Sequence, residues 1–164
     1  MKLFAKYRIC SIVSILFLMI SCSEKADFHL LDKDHSPHRL EEYQGRWLII
    51  NFWAEWCAPC RAEVVELNQF VANNEYDDLV ILGISYDPLS NADIIKISQQ
   101  WEMKYPVIAT NPNPILPFKL PKTLPGNYII NPKGELVLKL SGKQTFESIS
   151  KLLKTLKIKD NKTP

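Results

Sequence analysis

Cys57 and Cys60 stand two residues apart in the stretch Trp53-Ala54-Glu55-Trp56-Cys57-Ala58-Pro59-Cys60-Arg61. Thiols at that spacing can close a structural disulfide, supply half of a tetrahedral metal site, or exchange a disulfide with another molecule. The first use is poor, because so short a loop constrains almost nothing in the unfolded chain. The second needs a further pair of ligands. His29, His35 and His38 all precede the motif without ligand-like pairing, and the remaining cysteines, Cys10 and Cys22, fall in the first 22 residues. No metal is expected. Exchange remains, and in an oxidising compartment a lone pair of thiols is best explained by redox chemistry. It requires one sulfur as a thiolate, the attacking species, and a second in reach to resolve the mixed disulfide.

The elements around the pair are suited to that task. Trp47 to Trp53 (Trp-Leu-Ile-Ile-Asn-Phe-Trp) is a nearly continuous apolar run, as in a central strand buried on both faces. A helix is predicted from Pro59 to about Asn73, with Val64, Leu67 and Val71 at helical spacing. Cys57 would then sit where unpaired N–H groups and the positive end of the helix dipole favour an anion. Cys60 would lie one turn further along the same face, and Pro59 suits a first turn because its missing N–H is no loss there. Cys57 is therefore assigned as the exposed nucleophile and Cys60 as the buried resolving thiol.

Strand and helix alternate through the rest. Phe28 to Leu31 is a short strand candidate, followed by a polar turn through Asp32 to Pro37. Leu79 to Tyr86 reads as a second buried strand, broken by Asp87-Pro88, after which Ser90 or Asn91 caps a helix running to about Glu102. Pro106 to Ala109 is apolar and reads as either a helix end or a strand. Asn111 to Pro125 holds five prolines and can be neither regular helix nor central strand; its length points to a use. Asn127 to Ile130 and Leu136 to Leu140 are strands joined by the turn Asn131-Pro132-Lys133-Gly134. A last amphipathic helix covers Phe146 to Leu156. The implied class is α/β, a mixed sheet flanked by helices on both faces.

The first 22 residues stand apart. Lys2, Lys6 and Arg8 precede the apolar run Ile9 to Ile20, too short for the roughly 20 residues that a membrane span needs. A basic start, a short apolar run and small residues are the order of a secretory signal. Ser21-Cys22 resembles a bacterial lipobox, in which the cysteine is acylated and becomes the new N-terminus; an uncleaved signal anchor is the other reading. The organisation expected is a lipoprotein-type signal peptide over 1–22, one domain over 23–157 and a frayed tail over 158–164. Either leader reading puts the domain outside the cytoplasm, facing the periplasm and held to a membrane, through lipid on Cys22 in the first. The net charge of +2 over 164 residues, with 23% charged, offers no basic stripe of the kind nucleic-acid binding needs.

Asn51-Phe52-Trp53-Ala54-Glu55-Trp56-Cys57-Ala58-Pro59-Cys60 closely resembles the active-site strand and loop of thioredoxins. Leu124-Pro125-Gly126-Asn127-Tyr128-Ile129-Ile130-Asn131-Pro132-Lys133-Gly134 resembles the superfamily segment that carries a cis-proline and then a hairpin. The likeness covers roughly Phe28 to Leu156. With the leader and the Phe28 to Asp32 segment it is similar to the TlpA/ResA branch of anchored extracytoplasmic thiol–disulfide oxidoreductases, many of them reductants in cytochrome c maturation or related assembly.

The resemblance implies a thioredoxin fold, no cofactor, a redox disulfide between Cys57 and Cys60, and Pro125 as the cis-proline facing it, with Pro121 as the competing candidate. Leu124 would pair with an extended substrate segment. Trp56 would be an exposed platform for substrate and Trp53 a core residue. Three departures stand out. Asn51 replaces the buried Asp of thioredoxin, leaving Glu55, Glu63 or water to move the resolving thiol's proton, although a helical Glu is exposed by default. Val65 replaces a helix-kinking proline, and Gly126-Asn127 replaces the usual Thr pair.

The partners expected are a protein substrate with a disulfide or thiol pair and a membrane-embedded electron donor, the chain itself acting as a monomer. With no His between the cysteines, a reductant is favoured over an oxidant. The alternatives are a metal- or haem-delivery module using the thiols as ligands, and a peroxiredoxin-type peroxidase.

Overall fold

The computed structural model describes residues 27–29, 37–110 and 114–160. The expected signal peptide, Cys22 included, lies outside them, as do residues 161–164. Among the described residues no helix is long and apolar enough to cross a membrane.

Seven strands and three α-helices are present among the described residues. β1 (Asp27–His29) and β2 (Pro37–Arg39) form a separate antiparallel pair, with Phe28 opposite His38. β2 begins at the proline where only a turn was expected. The main sheet comprises β3 (Trp47–Trp53), β4 (Leu79–Ser85), β5 (Val107–Ile108), β6 (Gly126–Ile130) and β7 (Leu136–Ser141), in the order β5-β4-β3-β6-β7. β4 runs parallel to β3 and to β5, whereas β6 is antiparallel to β3 and to β7. The sheet is mixed, as expected, and every residue of β3 is buried. The apolar segment before the proline-rich loop resolves as the edge strand β5. The hairpin turn places Gly134 at φ +84°, a left-handed conformation that costs glycine nothing.

α1 (Ala58–Val71), α2 (Asn91–Gln100) and α3 (Phe146–Asp160) all bury their apolar stripes against one face of the sheet. That face carries Trp47, Ile49, Ile81 and Ile129 under α1 and α3, and Trp53 and Val107 under α2. The reason is topological. From β3 to β4 to β5 the chain steps in one direction across the sheet, and right-handed crossovers then put both connecting helices on the same side. The opposite face, built on Leu48, Ile50, Phe52, Leu82, Ile84 and Tyr128, is closed by the 3-10 turn Leu40–Tyr43 and by Leu116, Phe118 and Leu124. Helical structure thus covers both faces unequally, and the proline-rich segment does part of a helix's work.

Capping follows the residue types. The Ser90 hydroxyl accepts the N–H of Asp93 at 3.1 Å and starts α2. Helix α3 continues through Asp160, beyond its predicted end at Leu156, with Lys157 and Lys159 in its last turn, where cations favour the dipole.

Candidate active site

β3 delivers the chain to the C-terminal edge of the sheet, and α1 begins at Ala58, a short loop after Trp53. Cys57 is the N-cap of that helix. Its sulfur accepts the backbone N–H of Cys60 at 3.2 Å, a first-turn donor shared with the Cys57 carbonyl at 3.0 Å. Pro59 occupies the first turn. The two sulfurs are bonded, with the Cα atoms 5.2 Å apart. In this oxidised state Cys57 is only 4% exposed and Cys60 2%, so the expected exposed nucleophile is covered while the bond is closed. Cys57 and Cys60 belong to a buried cluster with Trp53, Ala54, Ile94, Ile97 and Val107, and Leu124 packs against that cluster.

The Leu124–Pro125 peptide is cis and Pro121 is not its rival. Pro121 instead packs over Gly126. A Cβ built on Gly126 would lie 2.8 Å and 2.9 Å from Pro121 ring carbons. Glycine after the cis-proline is therefore what lets the proline-rich loop press onto the active-site segment. Gly126→Thr is expected to lower stability by about 1–3 kcal/mol through overpacking, read by denaturant unfolding. A loss below ~0.5 kcal/mol, the range of an ordinary surface change, would show that Pro121 yields freely.

Trp56 is 69% exposed, and its indole N–H donates to Asp87 Oδ2 at 2.7 Å. That bond fixes the ring beside Cys57 with one face to solvent. Trp53 is fully buried against Trp101, at 5.3 Å between ring centroids. Among the described residues its indole N–H has no hydrogen-bond partner.

The residue that sequence reasoning undervalued is Glu63. It is fully buried, three positions beyond Cys60 and so on the same face of α1. Its carboxylate accepts Asn51 Nδ2 at 2.9 Å on one oxygen; Asn127 Nδ2 at 3.0 Å and the backbone N–H of Gln144 at 2.6 Å share the other. Asn51 also donates to Asn127 Oδ1 at 2.9 Å, and the Tyr105 hydroxyl donates to Asn51 Oδ1 at 3.3 Å. Asn51 and Asn127 face each other across β3 and β6. Two of the departures from the thioredoxin pattern are thus the two side chains that hold this carboxylate.

Burial pushes the Glu63 carboxyl above the ordinary range, against the pull of the Gln144 N–H, the two amides and the charge of Lys143. Tyr105 is likewise pushed up, first by burial and then by the nearby Glu63 charge, and stays a neutral donor. The other candidate carboxylate, Glu55, is exposed in the loop before Cys57. Val65 is 64% exposed on the outer face of α1; the helix is continuous past it.

The chain is 26% identical to the thiol-disulfide oxidoreductase ResA of Geobacillus thermodenitrificans over 136 residues, 82% of this chain and 77% of that protein. Among solved structures it is similar to the pneumococcal exposed lipoprotein thioredoxin Etrx1 of Streptococcus pneumoniae, at 27% identity and TM-score 0.65, covering 79% and 99% of the two chains. A thioredoxin-family thiol:disulfide interchange protein of Chlorobium tepidum shares the fold at TM-score 0.66 and 20% identity, covering 80% and 92%. The sequence model of one family matches residues 23–139, through the cysteine pair and cis-proline into β7. With a thioredoxin fold and a closed Cys57–Cys60 bond at the head of α1, the chain belongs to the AhpC/TSA family.

Proposed function

We propose that this thiol–disulfide oxidoreductase works as a reductant of protein disulfides outside the cytoplasm, held to a bacterial membrane by lipid on Cys22. The observation that carries the chemistry is the Cys57 sulfur at the N-cap of α1 with an N–H of the first turn donating to it. The donor stabilises negative charge on Cys57 more than on Cys60.

In the reduced protein the Cys57 thiolate attacks one sulfur of a substrate disulfide. A Cys57–substrate disulfide forms and the other substrate sulfur leaves as a thiolate. Cys60 then gives up its proton and attacks Cys57 Sγ, so the second substrate sulfur leaves and the Cys57–Cys60 bond closes. Two electrons have passed to the substrate. Glu63, on the Cys60 face of α1 and above the usual carboxylate range, is the group positioned to take that proton. Leu124, beside the cis-proline, offers backbone to an extended substrate strand, and Trp56 offers an aromatic face.

Location rests on the basic, short-apolar, Ser21-Cys22 leader and on the likeness to an exposed lipoprotein thioredoxin. The substrates proposed are disulfides of envelope proteins, those of cytochrome c maturation included. A membrane-embedded donor returns the electrons, and the chain acts as a monomer. Ala58 and Pro59 between the cysteines bring no side-chain charge that would over-stabilise the reduced form, as strong oxidants require.

Equilibration with glutathione buffers tests the direction. A reduction potential between about −200 and −300 mV, on the thioredoxin side of the scale, is expected. A value near −120 mV would make the chain an oxidant instead. Metal content and peroxide consumption, both expected at background in the purified protein, separate this reading from thiol-ligand delivery and from a peroxidase.

A further inference from the structure

A polar row crosses the main sheet beneath α1. Gly83 on β4, Asn51 on β3 and Asn127 on β6 lie side by side in register. Ile81, Ile49 and Ile129, each two residues away, point the same way and are buried against the helices. Tyr105 completes the row from the connection between α2 and β5. Its ring lies over Gly83, where a built Cβ would meet Tyr105 Cε2 at 3.1 Å, closer than an ordinary contact. Glycine at 83 thus seats the ring, which is 5% exposed, with its hydroxyl 3.3 Å from Asn51 Oδ1.

The hydrogen bonds of the row run in one sense, from Tyr105 toward Glu63. Asn51 Oδ1 receives the hydroxyl. Both hydrogens of its Nδ2 are used, on Glu63 Oε2 and on Asn127 Oδ1, each at 2.9 Å. Asn127 Nδ2 donates in turn to Glu63 Oε1 at 3.0 Å. A side-chain amide is nearly symmetric in shape, so turning it over exchanges donor for acceptor with little change in packing. Turned together, Asn51 and Asn127 would set two carbonyl oxygens against Glu63, which only a protonated carboxyl could meet. The Tyr105 hydroxyl opposes that turn, because it would lose Asn51 Oδ1 as its acceptor.

Among the described residues, the other titratable or charged groups facing Glu63 are the Cys60 sulfur on the same face of α1 and Lys143 in the turn before α3. Glu66, a turn further along α1, is engaged by the Phe146 N–H at 3.0 Å.

We propose that Tyr105 is a positioning residue for the resolving step, its hydroxyl holding Asn51 and Asn127 as donors to Glu63 and so favouring the ionised carboxylate. The inference rests on the reading of Glu63 as the base that takes the Cys60 proton.

The test follows the Glu63 carboxyl carbon by NMR in the reduced full-length chain, wild type and Tyr105→Phe. Beside it stands the pH profile of single-turnover release from a mixed disulfide with a cysteine peptide. Loss of one hydrogen bond of ordinary worth is expected to raise the carboxyl's midpoint by roughly 0.5–1 pH, three- to tenfold in proton affinity. The acid limb of the release profile should move up with it. In a Glu63→Gln background, Tyr105→Phe should change release by less than about two-fold, because no carboxyl is left for the hydroxyl to tune. An unmoved midpoint, or equal slowing in both backgrounds, overturns the proposal while leaving Glu63 as the base. A midpoint that rises while the release profile stays put upholds the hold on Glu63 and removes that carboxyl from the proton's path. Should Tyr105→Phe not fold, wild type gives a second readout. The Tyr105 ring carbon bearing the hydroxyl must shift as Glu63 titrates, and a signal blind to that titration refutes the coupling.

Discussion

Cys60→Ala is expected to convert the protein into a trap that accumulates mixed disulfides with its substrates, whereas Cys57→Ala accumulates none. The asymmetry follows from the start of α1. Only Cys57 is the N-cap, and only its sulfur receives an N–H from the first turn. Cys60 is inside the helix, 2% exposed, and held against Cys57. Without Cys60 the attack still occurs, but its product has no internal thiol to release it. An adjoining thiol acts at an effective concentration no dissolved thiol reaches, so turnover should fall by at least about 10³-fold. Non-reducing electrophoresis of the native envelope, followed by identification of the bound partners, reads the outcome directly. Equal trapping by the two variants would falsify the assignment of the nucleophile.

The cysteine pair was legible in the sequence because everything that defines it is local. An apolar strand, a short loop and a helix with proline in its first turn are contiguous, and each element formed close to its expected bounds. The carboxylate network was not legible in that way. It joins Asn51 on β3, Glu63 on α1, Tyr105 before β5, Asn127 on β6 and Gln144 before α3, and no spacing rule connects such scattered elements. A signal was present all the same. Cys60, Glu63, Leu67 and Phe70 recur at helical spacing, which puts Glu63 on the buried stripe of α1. Asn51 interrupts an apolar strand and Asn127 heads another, and buried amides need partners. Treating a helical Glu as exposed by default overlooked both facts. The bearing of the proline-rich loop was hidden for another reason. Its packing depends on Gly126 having no side chain, and a missing Cβ shows only when the neighbouring ring is in place.

Glu63→Gln is the substitution in which activity and stability should move in opposite directions. The carboxyl is fully buried with only neutral donors bonded to it. Desolvation raises its pKa on folding, and the hydrogen bonds only partly offset that. A group raised in this way favours the protonated form in the folded state. Below the carboxyl's unfolded value, about 4.3, it is protonated in both states and folding carries no penalty. As pH climbs from there through the raised folded value, the unfolded state ionises first and stability drains away. The loss is about 1.4 kcal/mol for every tenfold by which the folded carboxyl holds its proton more tightly than the unfolded one. Glutamine has no charge to desolvate. The unfolding free energy of wild type relative to Glu63→Gln should therefore be greatest near pH 4 and decline toward pH 8. Across the same range the variant should resolve mixed disulfides more slowly, by about 10²-fold at neutral pH, since general-base assistance is worth roughly that much. First attack by Cys57 should be little changed. A purely structural role for Glu63 leaves the same pH-dependent stability difference, because burial alone produces it, but predicts no selective slowing of the second step. Single-turnover release at several pH values, set beside urea unfolding of both proteins, distinguishes the two. A flat stability difference would overturn the raised carboxyl; if release of the mixed disulfide is no slower in Glu63→Gln, Glu63 does not carry the proton that the resolving thiol must lose.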